Sequence, residues 1–138
     1  MEYRKFAKKR FWIHMISMPI IWAPLPVIIV LDIVGEIYHH ICFPMYGIPK
    51  VKRKDYVQII DRGRLQYLNW FEKLGCMYCG YVNGLSAYAV EIAARTETYW
   101  CGIIHEAKPN VRVKQHQIKH NFTKFGDEED FNKKYPRE

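Results

Sequence analysis

The sequence has no internal repeat, no glycine-rich phosphate loop and no serine-nucleophile motif. Phosphate-cradling NTPase chemistry and serine hydrolysis are therefore not written in it. Acidic side chains are in deficit: 14 Asp and Glu face 21 Lys and Arg, for a formal charge of +7 and a pI near 9.2. An excess of this kind points to an anionic partner, with nucleic acid and anionic lipid headgroups as the usual candidates. Cysteine is limited to four residues, Cys42, Cys76, Cys79 and Cys101. Cys76 and Cys79 are too close in sequence to pair comfortably. Metal ligation in a reducing compartment, most simply the cytoplasm, is preferred to disulfides.

Charge is also missing from Phe11 to Leu31, 21 residues in which His14 is the one ionisable group. A basic leader, residues 1–10, precedes this run with Arg4, Lys5, Lys8, Lys9 and Arg10. A signal peptide begins this way, but no small-residue cleavage site follows the apolar core. The run also lacks the polar face of a core helix in a small domain, so a membrane segment over residues 11–42 is expected. Pro19, Pro24 and Pro26 interrupt it. The halves Phe11 to Trp22 and Val27 to His40 would give about 18 and 21 Å of helix. Neither crosses a hydrocarbon core of about 30 Å alone, although the two in line could. Lys50, Lys52, Arg53 and Lys54 follow closely, so a single crossing puts one basic cluster on the wrong side. A re-entrant helix–break–helix that returns to the cytoplasmic face of the inner membrane is preferred to a single pass.

The second arm carries Asp32, Glu36, His39 and His40. At about 100° per residue these fall within one arc of roughly 100°, a possible second polar site. Glu36 and His39 have the i, i+3 spacing by which helical bundles present carboxylate and imidazole to iron or manganese. No second Glu-x-x-His exists to complete a di-metal centre. Emergence of these residues at the membrane interface is the preferred reading.

Cys76-Met77-Tyr78-Cys79-Gly80 reads as a metal knuckle, answered by Cys101 and His105 four residues apart. Three thiolates and an imidazole make the ligand set of a closed tetrahedral zinc site, and iron or an iron–sulfur cluster would accept a similar one. Around this site a helix is expected from an Asp61 N-cap to a Gly75 stop, and a second from Leu85 to Trp100 after an Asn83-Gly84 turn. The result would be a metal-stapled helical hairpin in a cysteine-rich domain, residues 43–106. Glu91 and Arg95 read as a surface i, i+4 pair. Residues 107–138 read as a charged, mobile or weakly helical tail, in which His116 and His120 would lie on one helical face.

The segments Ile41 to Pro49, Tyr67 to Trp70, Cys76 to Tyr81, Glu91 to Glu97 and Tyr99-Trp100-Cys101 with His105 resemble a family of small uncharacterised bacterial proteins. The likeness covers roughly residues 41–105 and implies no activity. In that family Pro and Lys stand where Gly102 and Ile104 are found here, which leaves the Cys and His candidates intact. The fold class expected is mainly α: a membrane helical segment, re-entrant or single-pass, then the stapled hairpin. The function expected first is a membrane-associated zinc protein that binds lipid headgroups and another protein. An iron-dependent redox or oxidase component comes second, and a nucleic-acid-binding zinc protein third.

Overall fold

The computed structural model describes residues 11–59 and 61–136; the basic leader lies outside them. The described residues are mainly helical and form no strand, only an isolated bridge between Ile103 and Thr123. Helix α1 runs Phe11–Trp22 and α2 runs Leu25–Met45, separated by a turn at Ala23 and Pro24. The prolines explain the break and its mildness. Pro24 caps α2 and Pro26 lies in its first turn, where backbone donors have no intrahelical partner anyway. At the break the Ile21 carbonyl accepts a hydrogen bond of 2.8 Å from the Tyr78 phenol, so a backbone group at a gap between apolar helices is satisfied. Together Trp12–Met45 form 34 residues long and apolar enough to cross a membrane, with mean hydropathy 2.1 and none of the most apolar window buried by the protein.

These two helices do not fold back on each other. His14, Met18 and Ile21 of α1 face Gly75, Cys76 and Cys79 of helix α3 (Trp70–Trp100) across a groove of about 780 Å³. Further along, Asp32 of α2 reaches Tyr81, His39 reaches Tyr88, and Tyr46 stacks on Tyr99. Contacts advance in the same sense on both sides, so α1 and α2 follow one another and run parallel to α3. The expected re-entrant hairpin is therefore absent. Prolines at a first turn redirect a helix without reversing it, and i to i+4 bonds from Ala23 to Pro19 and from Ile28 to Pro24 keep the helical course on both sides of the turn. The parallel course also obliges the connection, residues 46–69, to travel back along the pair as an irregular strap with 3-10 turns at Arg53–Asp55 and Asp61–Arg64.

Helix α3 is one continuous element of 31 residues, not the expected hairpin. It starts at Asn69, whose backbone N–H donates to the Glu72 carboxylate at 3.0 Å, and not at Asp61. Gly75, Gly80 and Gly84 stay helical inside it. Glycine costs about 1 kcal/mol in a helix, but at Gly80 and Gly84 the strap uses the space. A Cβ on Gly84 would lie 2.6 Å from the Tyr56 carbonyl oxygen, and one on Gly80 3.0 Å from that of Gln58. The helix stops at Gly102, which takes the left-handed φ of +68°.

The core is small: Phe43, Val51, Leu85, Tyr88 and Ile92 bury one another between α2, the strap and α3. The chain after Gly102, expected to be a mobile or weakly helical tail, forms two short helices that return to the end of α3. Helices α4 (Gln115–Lys119) and α5 (Glu128–Lys134) are tied back by Thr123, whose N–H donates to the Gly102 carbonyl and whose carbonyl accepts from Ile104 N–H, both at 2.8 Å. Gln117, Phe122 and Thr123 are buried there.

Candidate functional site

The polar arc of α2 meets a partner that local spacing cannot supply, Arg53 of the strap. Its guanidinium grips Asp32 with two bonds, Nη1 to Oδ1 at 2.5 Å and Nη2 to Oδ2 at 2.7 Å. Nη1 also donates to Glu36 Oε1 at 2.7 Å, and the Tyr81 phenol donates to Asp32 Oδ2 at 2.7 Å. Arg53 lies 5.6 Å from the centre of the Tyr88 ring, a cation–π contact that holds the guanidinium plane. Burial, reinforced by the Asp32 carboxylate, pushes the Tyr81 phenol up to about 12. Burial and then Glu36 push Tyr88 to a similar value. Both phenols therefore keep their protons at neutral pH and serve as donors.

Glu36, His39 and His40 place one ligand atom each within 4.8 Å of one another, a spacing that fits a metal ion. Counting lone pairs removes His39 from such a set. Its Nε2 accepts the Val51 backbone N–H at 2.9 Å, so that nitrogen carries no proton. Nδ1 then bears the ring proton and donates to the Tyr88 oxygen at 3.1 Å. The imidazole is 1% exposed and has no lone pair left for a metal. His40 sits at the edge of the arc, in solvent, with Nδ1 3.0 Å from Glu36 Oε2; when protonated it neutralises the second carboxylate. Two carboxylates, one guanidinium and a neutral bridging histidine thus form a clamp that fastens the strap between α2 and α3.

No protein family, curated protein or solved structure matches the chain.

The cysteine set is not brought together. Cys76 and Cys79 are neighbours on one turn of α3, whereas Cys101 caps its far end. Twenty-one residues of helix lie between Cys79 and Cys101, a rise of about 33 Å, while zinc ligands must lie within about 4 Å of one another. The turn after Gly102 carries His105 away from the helical face that its spacing to Cys101 suggested. All four thiols are free, and Cys42 is half-buried at the end of α2. The proposed Cys76, Cys79, Cys101 and His105 centre therefore does not form here. The knuckle pattern also fits two cysteines on successive helical positions of one face, which is what the chain uses.

Sequence reasoning missed a second polar junction. Glu97, near the end of α3, accepts from Gln117 Nε2 at 2.7 Å and contacts His116 Nε2 at 2.9 Å, with Lys114 Nζ 3.6 Å away. Burial raises its carboxyl, but these partners outweigh that and hold it below the ordinary range. Arg95 is likewise more than a surface decoration. It pairs with Glu91 through Nε at 2.8 Å and donates from Nη1 to the Pro49 carbonyl at 2.7 Å, which locks the end of α2 onto α3.

Proposed function

We propose that the protein is a monotopic membrane protein on the cytoplasmic face of the inner membrane, a non-enzymatic platform that lies along the bilayer without crossing it. One observation carries this reading: the apolar side of α2 is uncovered, and Asp32, Glu36, His39 and His40 lie on or beside the opposite side. At about 100° per residue, Val27, Val30, Val34, Ile37, Ile41 and Met45 share an outward arc of about 80°. Each is more than half exposed. Asp32, Glu36, His39 and Phe43 occupy an arc centred about 170° away, turned to the protein. Ionisable groups on a lipid-facing helix normally turn inward and pair, as these do.

The course of the strap argues against a crossing. Because α2 and α3 are parallel, a perpendicular crossing would draw irregular backbone and the exposed Lys52, Lys54, Asp55 and Arg64 through hydrocarbon. With the helices lying in the interface, only the outward arc and the apolar α1 enter lipid, and both basic flanks stay on one side. The four free thiols fit a reducing compartment.

Labelling tests the topology. In a variant lacking the natural cysteines, Ala7→Cys and Lys54→Cys are each treated with a membrane-impermeant maleimide in intact and in opened cells. Both sites are expected to react only after opening. Reaction of either site in intact cells would establish a crossing and end the monotopic reading.

A further inference from the structure

A groove of about 870 Å³ opens where the apolar helix ends, between the turn at residues 46–49, the last turns of α3, and α4. We propose that it is a binding site for a phosphate ester, the chemistry of an anionic phospholipid headgroup. The inference rests on the membrane reading for the source of that ester but not for its chemistry.

Two fixed cations, Arg95 and Lys119, and two imidazoles make up the basic part of the walls. Arg95, His116, Lys119 and His120 line the groove against a single carboxylate, Glu91, which Arg95 already engages. The bonds from Arg95 Nε to Glu91 and from Nη1 to Pro49 fix the guanidinium plane, and among the described residues nothing takes up its Nη2 hydrogens. Among the described residues, Lys119 and His120 have no ion-pair partner, although both line the groove, Lys119 as the last residue of α4 and His120 as its C-cap. His116 is held at 2.9 Å by Glu97, which orients the short helix toward α3. A rigid arginine fork beside two unpaired donors is an arrangement suited to phosphate oxygens.

Position identifies the source. Tyr46 forms one wall and stacks on Tyr99 at 5.0 Å, and the next residue back, Met45, ends the outward apolar arc. The mouth of the groove therefore opens one residue from the lipid-facing surface. Tyrosine rings at that level are the usual companions of headgroups.

Calorimetric titration of the full chain in neutral detergent micelles tests the site whether or not the chain binds membranes in cells. The probes are dihexanoyl phosphatidylglycerol, dihexanoyl phosphatidylcholine and glycerol 3-phosphate. The Lys119→Gln/His120→Gln variant should bind the phosphatidylglycerol about tenfold more weakly, the loss of about one charge-assisted hydrogen bond. Lys52→Gln/Lys54→Gln, which removes exposed charge on the strap, should change it less than about twofold. Both pairs are exposed and unpaired, so melting curves should match the parent. Binding of glycerol 3-phosphate with equal affinity and the same dependence on Lys119 and His120 would make the source a soluble ester. A preference for phosphatidylglycerol makes it the headgroup. Equal losses in the two variants, unchanged binding in the groove variant, or equally tight phosphatidylcholine binding would overturn the site.

Discussion

His39 shows how a residue with the spacing of a metal ligand becomes a fastening. Both ring nitrogens are committed, one to the Val51 N–H and one to Tyr88. Val51 is itself buried, so its amide has no water to fall back on. His39→Ala should therefore cost about 3 kcal/mol, combining an unsatisfied amide with a cavity. His39→Gln, which keeps an acceptor and a donor, should cost about 1 kcal/mol. Chemical denaturation in detergent measures both, and chelator treatment should leave the parent's transition where it was. A transition that moves with added zinc or iron would restore His39 to a ligand set. The sequence pattern did place Asp32, Glu36, His39 and His40 on one arc, because helical periodicity is local. It could not name Arg53, 17 to 21 residues away, whose basic neighbours read as a membrane flank.

At the scale of elements, glycine was the hardest residue to read. Gly75 looked like a helix stop and Gly102 like part of a metal motif, yet Gly102 has the positive φ and Gly75 lies within a helix. The strap accounts for Gly80 and Gly84, where another backbone occupies the missing side chain's place, but not for Gly75, which has open space beside it. Two substitutions separate the roles. Gly84→Ala meets the Tyr56 carbonyl oxygen at 2.6 Å and the Val57 Cα at 2.8 Å, both backbone atoms, and should destabilise by about 1 to 3 kcal/mol. Gly75→Ala has nothing within 4 Å and should stabilise α3 by up to about 1 kcal/mol. Thermal melts in detergent decide, and a stabilising Gly84→Ala would mean that the strap does not rest on α3. The split of α1 from α2 was legible, since three prolines in eight residues leave little choice. The tail was not. Its anchors are Glu97 to His116 and Gln117, contacts across about twenty residues that a charge pattern cannot distinguish from a solvated face.

For the whole molecule, the apolar surface and the folded core are separable, and this makes the membrane reading testable without disturbing the fold. Val34 and Ile37 are 57% and 55% exposed and lie on the outward arc, while the core sits on the opposite side of α2. A Val34→Glu/Ile37→Glu variant introduces two charges into the surface proposed to meet lipid. At an interfacial depth each carboxylate opposes partitioning, both by its own desolvation and by repulsion from anionic headgroups. The hydrogen bonds of the Arg53 clamp and of the Glu97 junction involve neither residue, although Ile37 lines the cavity beside Arg53 and Val51, so the detergent melt should move by less than about 1 kcal/mol. Retention on membranes through a carbonate wash should fall sharply, and binding to phosphatidylglycerol vesicles by about tenfold or more. A variant that melts like the parent and still resists the wash would refute lipid contact at this surface. A variant that leaves the membrane together with a stoichiometric protein partner would show that the arc is covered by protein. Two charges on the exposed half of one helix therefore decide whether the bilayer or another chain completes this structure.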